Sequence, residues 1–360
     1  MDYPLGQHLR KLPGPLLLTG HTGFKGTWMT FLLELLNVPV VGYSLPAEKD
    51  SLYERAERTG ATPELFADVR DYKALEKFID LHRPSTIIHM AAQPLVLKSY
   101  ESPRETFDIN VMGTVNVLDI AFKKDFIKAI IVVTTDKVYK NDNSGHAFVE
   151  SDPLEGKDPY SASKVGTEAV VAAWQQIAKV SGGPNVVSVR AGNVIGGGDY
   201  AEQRIIPDLI RGIINGKTVE IRNPDSTRPW EHVVEPLIGY IKALELALDG
   251  MELIGVNFGP YEKGIAVREV VKIFLNYFQG NLTIEFLSKP GDSESVHLSL
   301  NPEYAKHALK WEMRLSQYEA IELTAKWWSK YFSGSANIDE LCSADIRFII
   351  EKHSREVGEI

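Results

Sequence analysis

Through the first half of the chain, runs of four to six β-branched or leucine-rich residues alternate with stretches whose apolar positions recur every three or four residues. Runs apolar at consecutive positions read as strands buried on both faces, and the 3.6-residue periodicity between them as helices, so the pattern predicts a parallel sheet wrapped by helices. Six strands are expected, at Pro15 to Thr19, Pro39 to Ser44, Glu64 to Ala67, Thr86 to His89, Ala129 to Thr134 and Asn185 to Arg190. This is an α/β, doubly wound arrangement. After Gly192 the rhythm breaks into a stretch rich in Gly, Asn, Asp and Pro, with short helices near Arg204 to Asn215 and Val267 to Gln279. The expected organisation is a sheet domain over 1–192, a smaller substrate-binding lobe over 193–332 with some segments returning to the first domain, and a polar surface extension over 333–360.

The first strand runs directly into Thr19-Gly20-His21-Thr22-Gly23-Phe24-Lys25-Gly26, and the apolar-periodic stretch Trp28 to Leu36 follows. Glycines at a strand-to-helix turn let the backbone approach a pyrophosphate, whose charge then meets the unpaired amides of the helix N-terminus. The spacing is G-x-x-G-x-x-G, and it predicts a Rossmann-type dinucleotide site with Gly20, Thr22, Gly23, Phe24, Lys25 and Gly26 on the cofactor side. Such a site ordinarily places an acidic residue at the end of the second strand, against the adenosine ribose. Here Ser44 stands at that place. Serine still bonds a 2'-hydroxyl but does not repel a 2'-phosphate, which Lys25 or Lys49 can neutralise, so NAD is expected with NADP as the less favoured alternative. Asp68-Val69, after the third strand, either meets the adenine amino group or places Asp68 as the cap of a helix beginning near Asp71.

The fifth strand ends in Thr135-Asp136-Lys137, three polar side chains at the carboxyl edge of the sheet, where open α/β folds bind ligands. Pro159, a favoured first-turn residue, opens a helix bearing Tyr160 and Lys164. Four residues apart, the phenol and the ammonium share one helical face. A nearby cation favours the ionised phenol, so Tyr160 can act as a base near neutral pH. His89, at the end of the fourth strand, reads as a structural histidine.

These residues, with Ala91-Ala92-Gln93-Pro94-Leu95-Val96, Asp158-Pro159-Tyr160-Ser161-Ala162-Ser163-Lys164, the run Arg190 to Asp199 and the run Arg222 to His232, resemble the extended short-chain dehydrogenase/reductase family, and within it the nucleotide-sugar 4,6-dehydratases. The resemblance implies NAD held by the glycine turn, Ser44, Asp68, Val69, Ala91, Ala92, Gln93, Asn110, Tyr160 and Lys164. It implies that Tyr160 takes the proton of a sugar 4-hydroxyl, that Lys164 lowers the tyrosine pKa and holds the nicotinamide ribose, and that Thr135 orients the 4-oxygen. Asp136 is then the acid for the departing 6-hydroxyl. Lys137 stands where related dehydratases carry a glutamate base, and takes the C5 proton or stabilises enolate charge. A nucleotide diphosphate needs cations, and Arg204 and Arg228 are the candidates; Gln93, Asn193 and Trp230 complete the substrate side. The subfamily's His-Glu is replaced by Ser-Glu in the stretch Asp292 to Ser295. The family also implies a homodimer paired through the helices of Thr106 to Lys124 and Tyr160 to Lys179.

Composition narrows the alternatives. Lys+Arg 39 against Asp+Glu 48 gives a net charge of -9, and without a basic stripe this argues against nucleic acid. Cys342 is the only cysteine, which rules out an intrachain disulfide and a Cys-rich zinc site. None of the nine histidines sits in a metal-binding motif, so no catalytic metal is expected. With no signal-like N-terminus and no long apolar run, the chain reads as cytoplasmic and not membrane-bound. The expected activity is dehydration of a nucleotide-diphosphoglucose, CDP-D-glucose first. The alternatives are a dehydratase for another nucleotide sugar, a nucleotide-sugar 4-epimerase, or a cofactor-binding protein without turnover.

Overall fold

The computed structural model describes residues 3–202, 204–278, 282–287 and 297–354. Its centre is a seven-stranded, wholly parallel sheet of β1 (Leu16–Thr19), β2 (Val40–Ser44), β3 (Glu64–Phe66), β4 (Thr86–His89), β5 (Ala129–Val133), β6 (Asn185–Ala191) and β7 (Gly255–Phe258), in the spatial order β3-β2-β1-β4-β5-β6-β7. The six predicted strands all form, each end within one residue of its expected place. The helices that cover and extend the sheet are α1 (Phe24–Leu35), α2 (Tyr72–His82), α3 (Gly113–Phe122), α4 (Pro159–Ser181), α5 (Ile205–Asn215), α6 (Val234–Leu248), α7 (Gln317–Phe332) and α8 (Ile338–Ser354).

The strands read as unbroken apolar runs because both faces are buried. Leu16 and Leu18 join a core with Trp28, Met29, Leu237 and Ile346, whereas Leu17 between them joins a second core with Leu75, Phe78, Val117 and Val171. The strand order reverses between β1 and β4, and that reversal opens a crevice beyond their carboxyl ends.

In the second half β7 and α6 return to the sheet, α6 lying over β5 and β6, so the break at Gly192 marks a change of pattern more than a boundary in space. The expected surface extension is instead a packed helix. Its charged composition conceals an apolar face of Ile338, Leu341, Cys342, Ile346, Ile349 and Ile350, which is buried against α1 and α6. No helix among the described residues is long and apolar enough to cross a membrane.

His89 ties the two strands at the crevice to α3. Its Nδ1 lies 2.7 Å from Thr19 Oγ1 and its Nε2 3.1 Å from Thr114 Oγ1, in a fully buried setting. Burial, with the Lys164 charge, lowers its pKa to about 3. Between pH 3 and the ordinary histidine value the unfolded chain binds a proton that the native chain refuses, so stability is lost as pH falls through that window. In urea melts, His89→Gln is expected to flatten this part of the stability profile relative to the native chain, while lowering stability at pH 7.

Candidate active site

The glycine turn occupies the crevice, and each glycine has a different reason. Gly20 has φ 75°, and a Cβ there would meet the Ala91 backbone nitrogen at 2.7 Å. At Gly26 a Cβ would meet the Gly20 carbonyl oxygen at 2.0 Å, so only glycine lets α1 sit this close to the turn. Gly23 is different. Its backbone is extended, and the only atom near its Cβ position is the Gly20 oxygen at 3.4 Å. Neither conformation nor protein packing requires glycine here, which fits a site where a ligand backbone lies against the turn.

Around the turn, Thr22 Oγ1 lies 2.8 Å from Ser44 Oγ and donates to the Leu45 carbonyl at 3.0 Å, so the residue at the ribose position is held by the phosphate turn. Asp68 does not cap α2; Asp71 does, accepting from Ala74 N at 3.0 Å. Asp68 is instead gripped by Arg70, whose Nη2 and Nε donate at 2.7 and 3.0 Å and hold its pKa below the usual carboxylate range. Val69 beside it is buried. Phe24 turns toward Gly196, and Ala91 and Ala92 form the turn after β4. Lys25 turns inward to 3.4 Å from the Tyr240 hydroxyl and cannot serve a 2'-phosphate at Ser44, while Lys49 is exposed.

The reacting centre forms where α4 meets the end of β5. Asp158 caps α4 by accepting from Ser161 N at 2.9 Å, with Pro159 in the first turn, which presents Tyr160 and Lys164 to the sheet edge. Thr135 donates to Asp136 Oδ1 at 2.9 Å, and Lys137 Nζ lies 3.5 Å from the same oxygen. Asp136 Oδ2 is buried with no hydrogen-bond partner. Burial pushes the Tyr160 phenol above its ordinary range; Lys137 and a hydrogen bond with Thr135 pull it back, Asp136 opposes them, and Arg204 assists. The cation acting most strongly on the phenol is thus Lys137 and not Lys164, whose Nζ donates to the Val133 carbonyl at 3.0 Å. Burial, with the charge of Lys25, lowers the Lys164 ammonium to about 8.

On the substrate side the expected residues divide. Arg228 lines a cleft with Lys137, Tyr100, Asn141 and Lys157. Arg204, 3.0 Å from Asp199, extends its field to Tyr160 and Lys25, which places it at the reacting centre. The Asn193 side chain makes no hydrogen bond among the described residues and begins a short strand (Asn193–Ile195) paired with Trp230–His232. Three candidates have their side chains engaged within the protein. Trp230 is buried, its indole donating to the Ile265 carbonyl at 3.1 Å, so it is a core aromatic. Gln93 spends its amide on Leu95 and Thr106, and Asn110, in a π-helical turn, bonds Gln93 and Ser163, so both position the loop and helix that carry the site. The stretch Asp292 to Ser295 lies outside the described residues. Among the described residues no cluster of His, Cys, Asp and Glu is arranged to hold a metal.

Two buried groups at the centre were not expected. Glu231 is wholly buried, and no side chain hydrogen-bonds its carboxyl oxygens. Tyr240 on α6 meets Lys25. A charge inside the otherwise apolar Trp230–His232 strand, and an ammonium in the apolar first turn of α1, were the available signals.

A phenol, an ammonium and a hydroxyl gathered beside a dinucleotide turn define a Rossmann enzyme of the extended short-chain dehydrogenase/reductase class. The comparisons agree, and the chain belongs to the NAD dependent epimerase/dehydratase family, whose sequence model matches residues 16–253. It is 38% identical over 328 residues to the CDP-glucose 4,6-dehydratase of Salmonella typhimurium, covering 89% of this chain and 91% of that protein. Among solved structures it is similar to the dTDP-glucose 4,6-dehydratase of Bacillus anthracis in complex with NAD, at TM-score 0.75 and 21% identity over 89% of this chain and 98% of that one. It is also similar to the UDP-glucose 4-epimerase of Thermus thermophilus in complex with NAD, at TM-score 0.73 and 24% identity over 89% of this chain and all of the other. The two structures share the fold.

Because a Cβ at Gly23 would meet only the Gly20 oxygen, at ordinary contact distance, Gly23→Ala is expected to leave the melting temperature of the ligand-free protein essentially unchanged. By titration calorimetry it should weaken NAD binding at least about tenfold, the cost of a methyl group intruding on a close contact.

Proposed function

We propose that this chain is a CDP-D-glucose 4,6-dehydratase, converting CDP-D-glucose to CDP-4-dehydro-6-deoxy-D-glucose and water with bound NAD. The observation that carries the reading is the Thr135-Asp136-Lys137 cluster beside Tyr160: an oxidoreductase needs the phenol, but only an elimination needs an acid and a second base beside it. The 38% identity over 89% of the chain to a relative of that name supports the choice of nucleotide.

Each residue then has a defined proton to move. Tyr160 takes the proton of the sugar 4-hydroxyl, with Thr135 orienting the oxygen and Arg204 favouring the phenolate. NAD, when bound, accepts hydride from C4 and returns it to C6. With C4 a ketone, the C5 proton becomes acidic, and Lys137 at the mouth of the site is placed to take it. Asp136 gives its proton to the 6-oxygen as the C6–O bond breaks, and water leaves. Lys164 holds the nicotinamide ribose, Ser44 and Asp68 the adenosine end, and Arg228 and Asn193 the nucleotide diphosphate. The acid and base at C5 and C6 weigh against a simple epimerase. The same reading places the enzyme in the cytoplasm, where nucleotide sugars are made, as a homodimer. Exposed Leu97, Tyr100, Phe107, Met112 and Ile177, on α4 and the helical segments before α3, supply an apolar face for pairing.

Incubation with NAD and CDP-, dTDP-, UDP- and GDP-glucose, followed by mass spectrometry, should give loss of one water with CDP-glucose alone. Failure with all four would refute the assignment. Tyr160→Phe should lower kcat by about a hundredfold or more, the usual scale of a lost general base, with NAD binding retained.

A further inference from the structure

Resting on the dehydratase reading, the geometry points to Glu231 as the proton partner of Asp136: the two carboxyl groups hold one proton between them, and Glu231 keeps Asp136 supplied with the proton that the departing 6-hydroxyl requires. The two groups come from distant parts of the chain. Asp136 follows β5, and Glu231 lies in the Trp230–His232 strand, held parallel to Asn193–Ile195. Both converge on Gly192, whose Cβ position is 3.5 Å from Asp136 Oδ2 and whose amide acts on Glu231.

At this point Asp136 Oδ2 is buried without a hydrogen-bond partner, and the two buried oxygens of Glu231 have only the Gly192 amide directed at them. Buried acceptors are rarely left so, because the lost hydration is not regained. One proton, shared directly or across one water, supplies the missing donor. A second carboxyl in one dry site disfavours ionisation of Glu231, so Glu231 keeps its proton. The groups facing Glu231 agree with that state. Lys25 on α1 favours its charge, as does the Gly192 amide, while burial, Glu235 on α6 and Asp136 oppose it, leaving the carboxyl well above the usual range. Tyr240, also on α6, completes the wall. His232, next along the strand, turns away to Trp28 and Asp345.

The proton count closes. In the elimination the Asp136 O–H bond breaks, its proton bonds to the 6-oxygen, and the C6–O electron pair leaves with the water. The C5–H electron pair becomes the C5–C6 double bond, and the C5 proton passes to the neutral amine of Lys137, which returns it to C5 when hydride arrives at C6. Asp136 is left as a carboxylate, and the Glu231 proton moves to it. The proton that Tyr160 took from the 4-hydroxyl replaces the one carried off in water, and the Thr135 hydroxyl, bonded to both Tyr160 and Asp136, links the two ends of that transfer.

Glu231 acts through Asp136 and is therefore a positioning and proton-holding residue. Glu231→Gln keeps its shape and removes its proton chemistry, and Glu231→Leu removes both. With CDP-D-glucose and NAD, Glu231→Gln is expected to lower kcat at least about tenfold with KM little changed. Its loss of activity on the alkaline side should begin at lower pH than in the native enzyme, because position 231 no longer holds a proton to supply. In single turnovers the 340 nm signal of reduced cofactor should accumulate, since C4 oxidation proceeds and water loss lags. A Glu231→Gln enzyme with the native kcat, pH profile and transient overturns the inference. So does a change in melting temperature or KM alone, which makes Glu231 a packing counter-ion of Lys25. If Glu231→Gln fails to fold, a folded Glu231→Leu with native alkaline behaviour overturns it equally. Native enzyme measured alongside separates the two levels: no turnover there refutes the dehydratase reading itself.

Discussion

The site depends on one buried ion pair that never touches the chemistry. Glu168, one turn beyond Lys164 and two beyond Tyr160, accepts from Arg190 Nε at 2.8 Å and Nη2 at 2.7 Å, from Ser188 at 2.7 Å and from Thr134. Helix α4 is thereby fixed in rotation and in height against β5 and β6. With 160, 164 and 168 on one helical face, this fixes where the phenol and the ammonium meet the sheet edge. Arg190 continues the network to Tyr139, which donates to Asn257 on β7. The carboxylate is held well below its ordinary range despite its burial, chiefly by Arg190, so it stays charged and the lock stays closed. A buried pair of this kind adds little to stability overall, yet losing either member leaves an unpaired charge in the core. Its value here is register.

What could be read in the sequence follows from how local each signal is. β1 to β6 announce themselves because a strand buried on both faces must be apolar throughout, and the glycine turn because three separate constraints fall within seven residues. β7, Gly255–Phe258, was missed: four residues with an asparagine among them carry no periodicity, and only the sheet edge left open beside β6 gives them a place. α8 was misjudged for the opposite reason. Its charges mask its apolar stripe in composition, while the stripe alone decides that it is buried.

Within the site the same rule separates the residues. Thr135, Asp136, Tyr160 and Lys164 converge as expected, since a strand end and a helix start fix them by backbone alone. Gln93, Asn110 and Trp230 are polar or aromatic residues near a ligand edge, and sequence cannot tell whether such a side chain turns outward to a ligand or inward to a neighbour. The structure turns all three inward. Lys25 shows the limit most clearly. Its motif suggested the ribose of the cofactor, but the helix rotation that lets Gly26 pack on Gly20 carries Lys25 to the far side, among Tyr240, Glu231 and Asp136.

The centre therefore contains two buried lysines, each with its own glutamate, and the two pairs have opposite fates. Burial lowers both ammonium groups to about 8. Glu168, which favours the charge of Lys164, has both oxygens filled by donors and is locked as an anion. Glu231, which favours the charge of Lys25, has only the Gly192 amide directed at it and faces a second carboxyl. Hydrogen bonding to the charged form decides between them: four donors hold one carboxylate open to nothing but its helix, and their absence leaves the other able to exchange a proton. Where one fold sets the same residue type in two such environments, the satisfied member serves architecture and the unsatisfied one chemistry. Tyr160 lies between, on the helix that the first glutamate anchors and within the field of the acid that the second one faces, so its rigidity and its proton balance come from different halves of the chain.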